Sequence, residues 1–204
     1  LKTNPNTTFE TDAKIEGKGA VNNLGTLIIN PGRIFALTGA FDNKGSLTNR
    51  GEMSQSVDVK AGQGAIINSG TIDGQANSAI KVTGNYTGDI TNEVGGNVTS
   101  TGVSATIDLG AIVTGKLMNA GTLETTDKTQ AGPVINASQA AANVTQGIIN
   151  TGTIVNANSG ASAIDLSTSG QPILLTNSGV IRGNVVLSNG GGDVFKMTGG
   201  VLDG

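Results

Sequence analysis

Three carboxylates recur at equivalent places in this chain, and their spacing decides which chemistry is open to them. Asp58, Asp108 and Asp165 each follow one aliphatic residue and precede another, in Val57-Asp58-Val59, Ile107-Asp108-Leu109 and Ile164-Asp165-Leu166. Lys81 and Asn136 hold the same place in Ile80-Lys81-Val82 and Ile135-Asn136-Ala137. Carboxylates brought close together serve acid/base work on a glycosidic bond, or hold calcium. Here Lys81 and Asn136 fall between them in chain order. Stacked phrases would leave successive acids two turns apart, about 9.6 Å at strand spacing. The phrases therefore read as an exposed, solvated ladder of Asp58, Lys81, Asp108, Asn136 and Asp165, with no two carboxylates adjacent and little like-charge repulsion.

Other chemistry is removed by composition. The chain has no His and no Cys, which excludes a Ser-His-Asp triad and any Cys/His metal centre. Gly-Asp-Ser-Gly and Gly-x-Ser-x-Gly are both missing. Gly191-Gly192-Asp193 shares half of a calcium-binding nonapeptide, but it occurs once and reads as a tight turn before a strand. No two Lys or Arg are adjacent and the net charge is −3, so no nucleic-acid footprint is expected. No apolar run approaches the roughly 18 residues of a membrane helix. Asn-x-Ser/Thr triplets such as Asn85-Tyr86-Thr87 are what a chain this rich in Asn and Thr gives by chance. No cofactor is implied.

The elements that position these residues are set by a recurring phrase: Asn, any residue, Gly, a small or polar residue, an aliphatic one. Clear copies start at Asn23, Asn43, Asn68, Asn119, Asn150 and Asn177; Asn30 and Asn49 start two more, and Asn92 a degenerate one. Recurrence at this length marks an array of stacked units. An aliphatic pair precedes each corner (Ile66-Ile67, Leu117-Met118, Ile148-Ile149) and one inward aliphatic follows it (Ile72, Leu123, Ile154, Ile181). A second corner often lies six residues after the Asn, at Gly74, Asn156 or Gly183, and the unit closes on the strand that carries the ladder. Gly at the corner is expected to supply positive φ, for which Asn is next best.

Abundant Thr, Val, Ile, Asn and Gly, with charged residues at 13%, favour short strands and tight corners. Disorder is disfavoured, because the regular aliphatic pairs bury real surface. Hairpin barrels and sandwiches need turns every 8–12 residues or so and more aromatics than the 2% present. Such short strands make a sheet only by pairing in parallel with the next unit. The reading is all-β: a right-handed parallel β-helix of about eight coils over residues 20–204, a rod of roughly 40 Å, behind an N-terminal edge or cap segment of residues 1–19. The corner Asn residues, from Asn23 to Asn177, are expected to form one amide ladder. Residues 124–132 and 137–146 break the repeat and are candidate interaction loops. Phe35 and Phe41 are expected in the core or an N-terminal cap.

Asn68-Ser69-Gly70-Thr71-Ile72, Asn119-Ala120-Gly121-Thr122-Leu123 and Asn150-Thr151-Gly152-Thr153-Ile154 resemble passenger domains of bacterial autotransporters. So do Gly183-Asn184-Val185-Val186-Leu187 and Gly191-Gly192-Asp193-Val194-Phe195 near the end. The likeness runs from about Ala20 to Gly204, though filamentous haemagglutinin-like exoproteins and some phage tailspikes use similar phrases. It implies export to the bacterial surface, with a tether to an outer-membrane β-barrel encoded elsewhere in the full length and no membrane insertion by this segment. It also implies adhesion, self-association in trans or binding to a host surface protein or glycan. A passive stalk and a glycan-active β-helix enzyme are the other readings. No secretory leader is visible and the sequence stops in mid-repeat at Gly204, so a piece of a longer protein is expected.

Overall fold

The computed structural model describes Leu1–Gly204 as a parallel β-helix without a single α-helix. Three nine-stranded parallel sheets run its length, and a fourth of four short strands covers part of one side. Each turn of chain contributes one strand to each long sheet, which gives nine rungs. The ladder strands form sheet I (Val57–Val59, Ile80–Val82, Ile107–Leu109 and their equivalents). The strands before the Asn-x-Gly corner form sheet II (Ile66–Asn68, Ile90–Asn92, Leu117–Asn119), and those after it form sheet III (Thr71–Asp73, Asn97–Ser100, Thr122–Thr125). Residues 1–17 make the first rung, largely exposed, pairing with the second through all three sheets.

Alternation within each strand builds the core. Inward residues register on their counterparts one rung away: Ile72 on Val98, Val98 on Leu123, Leu123 on Ile154 and Ile154 on Ile181. All five are buried, within a single apolar cluster that fills the bore. Phe35 and Phe41 meet edge to face inside it, ring centroids 5.9 Å apart. A parallel ladder alone would not fix this register. Displacing a strand by one residue would turn its aliphatics to water.

The three corners differ. Between sheets II and III the chain turns tightly in nearly every rung. Between III and I the connection is short in rungs two and three (residues 38–40 and 54–56), longer in rungs four to six (74–79, 101–106 and 126–134), and down to Gly183 alone in rung eight. Between I and II it is tight in rungs two and three, then opens to admit the fourth sheet: Gly62–Gln63, Tyr86–Thr87, Ile112–Thr114 and Asn143–Val144.

Tyr86, Val113 and Val144 point inward from this extra side and fill the wider bore. The Tyr86 hydroxyl, fully buried, donates to the Gly45 carbonyl at 2.9 Å. Burial pushes this phenol well above the ordinary tyrosine range, so it stays a donor at neutral pH. Tyr86→Phe is expected to cost about 1 kcal/mol, the worth of one buried hydrogen bond, read as a lower urea midpoint at unchanged slope.

Candidate functional site

The corner asparagines form two ladders. Asn49, Asn68, Asn92, Asn119, Asn150 and Asn177 stack at the II–III corner, each Nδ2 donating to the next Oδ1 at 2.7–2.9 Å. Asn23 and Asn43, expected in the same file, lie at the I–II corner instead. There Thr3 Oγ1 donates to Asn23 Oδ1, and Asn23 Nδ2 to Asn43 Oδ1, both at 2.6 Å. Val59 follows Asn43 in that register, and Asn49 is the true neighbour of Asn68, 19 residues before it. Two corners of this helix use the same phrase, and spacing alone does not tell them apart. All of these amides are buried and join the chain's turns; none faces a ligand.

The corner glycine has a different cause from the one its type suggests. Gly51, Gly70, Gly121, Gly152 and Gly179 do not have positive φ. Their Cα atoms instead pass so close to the rung beneath that a methyl group would overlap a backbone carbonyl: Gly51's for Gly70, Gly121's for Gly152, Gly152's for Gly179. Close approach selects the residue.

The outer face of sheet I carries the other predicted set. Asp58, Lys81, Asp108, Asn136 and Asp165 stand in register on successive rungs, half-buried except for the exposed Lys81. The file extends downward to Asp42, which pairs with Asp58, so two carboxylates do adjoin. Lys60 answers that charge: its ammonium pairs with Asp58 and lies 3.7 Å from Asp42 Oδ1. The hydrogen bond from Lys60 to Asp58 is the main cause of a lysine pKa above the usual range. Thr83 also donates to Asp58, Asn136 Nδ2 to Asp108 at 3.3 Å, and Ser167 to Asp165 at 2.7 Å. Lys81 takes part in none of the chain's ion pairs.

Loops on both sides turn this face into a trough. The segments singled out in sequence, 124–132 and 137–146, begin inside strands of sheets III and I; the connections themselves flank this face on opposite edges, 126–134 at the III–I corner and 138–147, with its short strand Asn143–Val144, at the I–II corner. Asp127 orders the first of them. Its carboxylate accepts the backbone N–H groups of Thr129 and Gln130, which hold it below the usual aspartate range. Two hollows lie along the trough and share Lys81. One, of about 600 Å³, runs over the corners from rung two to rung five and includes Gln55, Asp58 and Asn77. The other, about 520 Å³, is bounded by Asp108, Ser138 and Gln139.

A third polar file, missed in sequence, closes sheet III. Gln55, Gly74, Ser100, Thr125 and Asn156 occupy equivalent inward positions. Ser100 Oγ lies 2.9 Å from Thr106 Oγ1, and Asn156 Nδ2 donates to the Gly132 and Ser162 carbonyls at 2.9 and 2.8 Å. Gln55, only 8% exposed, has no partner for either amide atom. The signal was the second corner six residues after the Asn, whose polar members mark this file.

Acid/base geometry does not assemble. Asp108 and Asp165 are separated by the rung of Asn136, and Asp42 and Asp58 are tied to Lys60. No three acidic side chains converge as a metal site. Asp193 accepts the Ile173 N–H and the Ser188 hydroxyl, both at 2.7 Å, after two glycines with φ of 66° and 76°; its work is to fix a turn. No family model, curated protein or solved structure matches this chain.

Proposed function

We propose that this β-helix is an extracellular adhesion or self-association module, displayed on a bacterial surface and acting through many weak polar contacts along the outer face of sheet I. The supporting observation is the in-register file from Asp42 to Asp165, set in a trough and capable of further hydrogen bonds. Each such contact is worth little in water. Dense display of a rigid, repeating face multiplies them into avidity. The phrases shared with autotransporter passengers support surface display and a tether to an outer-membrane barrel outside these residues.

The test displays residues 1–204 on a non-adherent bacterium, with surface exposure verified by antibody. Cells are expected to clump, or to bind glycan- or protein-coated surfaces. A triple variant, Asp58→Asn with Lys81→Gln and Asp108→Asn, is expected to lose most of that binding while melting normally. Verified display without clumping or binding would leave a stalk that presents something else.

A further inference from the structure

We infer that the hollow over rungs two to five is a subsite for a neutral glycan chain, gripped by Gln55, Asp58, Asn77 and Lys81. This rests on the adhesion reading and names its ligand. The argument begins with Gln55. Its side chain is buried and both amide atoms lack partners. Leaving a buried amide unpaired is costly, and folding gains nothing from it. Most other positions of the same file avoid the cost: Leu37 is apolar, and Ser100 and Asn156 are hydrogen-bonded. Thr125 shares it for a single hydroxyl, whereas Gln55 leaves both a donor and an acceptor unpaired. Above Gln55 the file holds Gly74, which has no side chain to meet the amide. The hollow that Gln55 lines occupies that side. Both amide atoms lie buried in the wall of that hollow, and turned into it they would offer donor and acceptor to a hydroxyl or acetamido group, which also does both.

The rest of the lining fits the same class. Sixteen residues form the hollow and four are hydrophobic, so an apolar ligand finds little to bury against. Ser56, Ser78 and Asn77 add neutral hydroxyl and amide groups, and Asp58 with Lys81 adds one charge of each sign. An anionic chain would meet the adjoining Asp42 and Asp58 with only Lys81 free of an ion pair. Nucleic acid would in addition lack an exposed aromatic to stack on, since the one at the hollow, Phe41, is buried in the core. A peptide strand has no edge to join, because the sheet I strands beneath are paired on both sides. The shape is that of an elongated site, since the hollow meets a second one at Lys81. Its overhang arises where the III–I connection lengthens, at residues 74–79, above the short corners 38–40 and 54–56.

The experiment titrates the purified chain with neutral tetrasaccharides of glucose, galactose, mannose and N-acetylglucosamine, and with tetragalacturonate as the acidic arm, by calorimetry. At least one neutral chain is expected to bind, and tetragalacturonate more weakly. Gln55→Leu is expected to weaken binding about ten-fold or more, at a melting temperature equal to or above that of the parent. That pairing sets a ligand contact apart from a structural role, which would lower the melting temperature. Lys81→Met, at an exposed position, weakens binding several-fold with the fold intact; Asp203→Asn, on the exposed last strand and away from both the hollow and the sheet I file, leaves it unchanged. The inference is overturned if no neutral chain binds, if the acidic one binds better, or if Gln55→Leu binds as the parent does. It is also overturned if Lys81→Met abolishes association of the purified chain with itself in the absence of sugar, which would assign the hollow to a second copy. Displayed cells that still adhere while no neutral chain binds would sink this inference and spare the adhesion reading; sugar binding with non-adherent cells would do the reverse.

Discussion

Gly152→Ala is expected to destabilise the helix by about 3 kcal/mol or more, against about 1 kcal/mol for Gly32→Ala. The two glycines look alike in sequence, each third in an Asn-x-Gly phrase. Gly32 has φ +70° with open space around its Cα, so alanine there suffers only the left-handed backbone. Gly152 has ordinary φ, but a Cβ would run into the Gly121 carbonyl one rung below. That same oxygen accepts the Thr153 N–H at 2.8 Å, so parting the rungs to relieve the overlap breaks the pairing around it. Urea midpoints of the two variants check the order. A Gly32→Ala variant weaker than Gly152→Ala would show that backbone conformation, and not inter-rung contact, selects the corner residue.

Asn119→Ala is the second large effect, expected at about 4 kcal/mol. Asn119 accepts from Asn92 at 2.9 Å and donates to Asn150 at 2.7 Å, to the Thr153 carbonyl at 3.0 Å and to Gly121 at 3.3 Å. Truncation removes these bonds and orphans buried groups on the rungs above and below. Asn177→Ala should cost distinctly less, since above it stands only the Met197 sulfur, 3.5 Å away. Asn119→Asp adds a pH dependence of known sign. Burial raises the folded-state pKa of a carboxyl, so the variant fares best below about pH 4 and loses stability as pH climbs through that raised value. Thermal melts across pH for the three variants test the gradient. Equal losses at Asn119 and Asn177 would deny that the amides act as a connected file.

The parallel pairing was legible because the aliphatic pairs and the corner phrase recur together, and Ile72, Ile154 and Ile181 do fall in one buried file. The Asp58-to-Asp165 register was legible for the same reason, since each residue sits between inward aliphatics. The corner assignment was not. Between Asn43 and Asn68 the chain both changes corner and gains the fourth side, and a single spacing sums the two. Asn49-Arg50-Gly51 held the clue, because it places Asn49 one rung from Asn68. Asp42 escaped notice because Phe41-Asp42-Asn43 ends in the corner Asn and lacks the second aliphatic that marks the other ladder strands. The trough and Gln55 depend on how loops of different length overhang one another, which no repeat pattern records.

The strands cross the long axis while their hydrogen bonds run along it, and the two termini belong to opposite ends of the stack. A pull between those termini would therefore detach one turn at a time, as tape lifts from a roll, with no need to shear a whole sheet at once. Each 27-residue turn set free, such as the one linking Asn92 to Asn119, would release on the order of 90 Å of slack. A chain wound this way yields in steps under load and converts the load into extension.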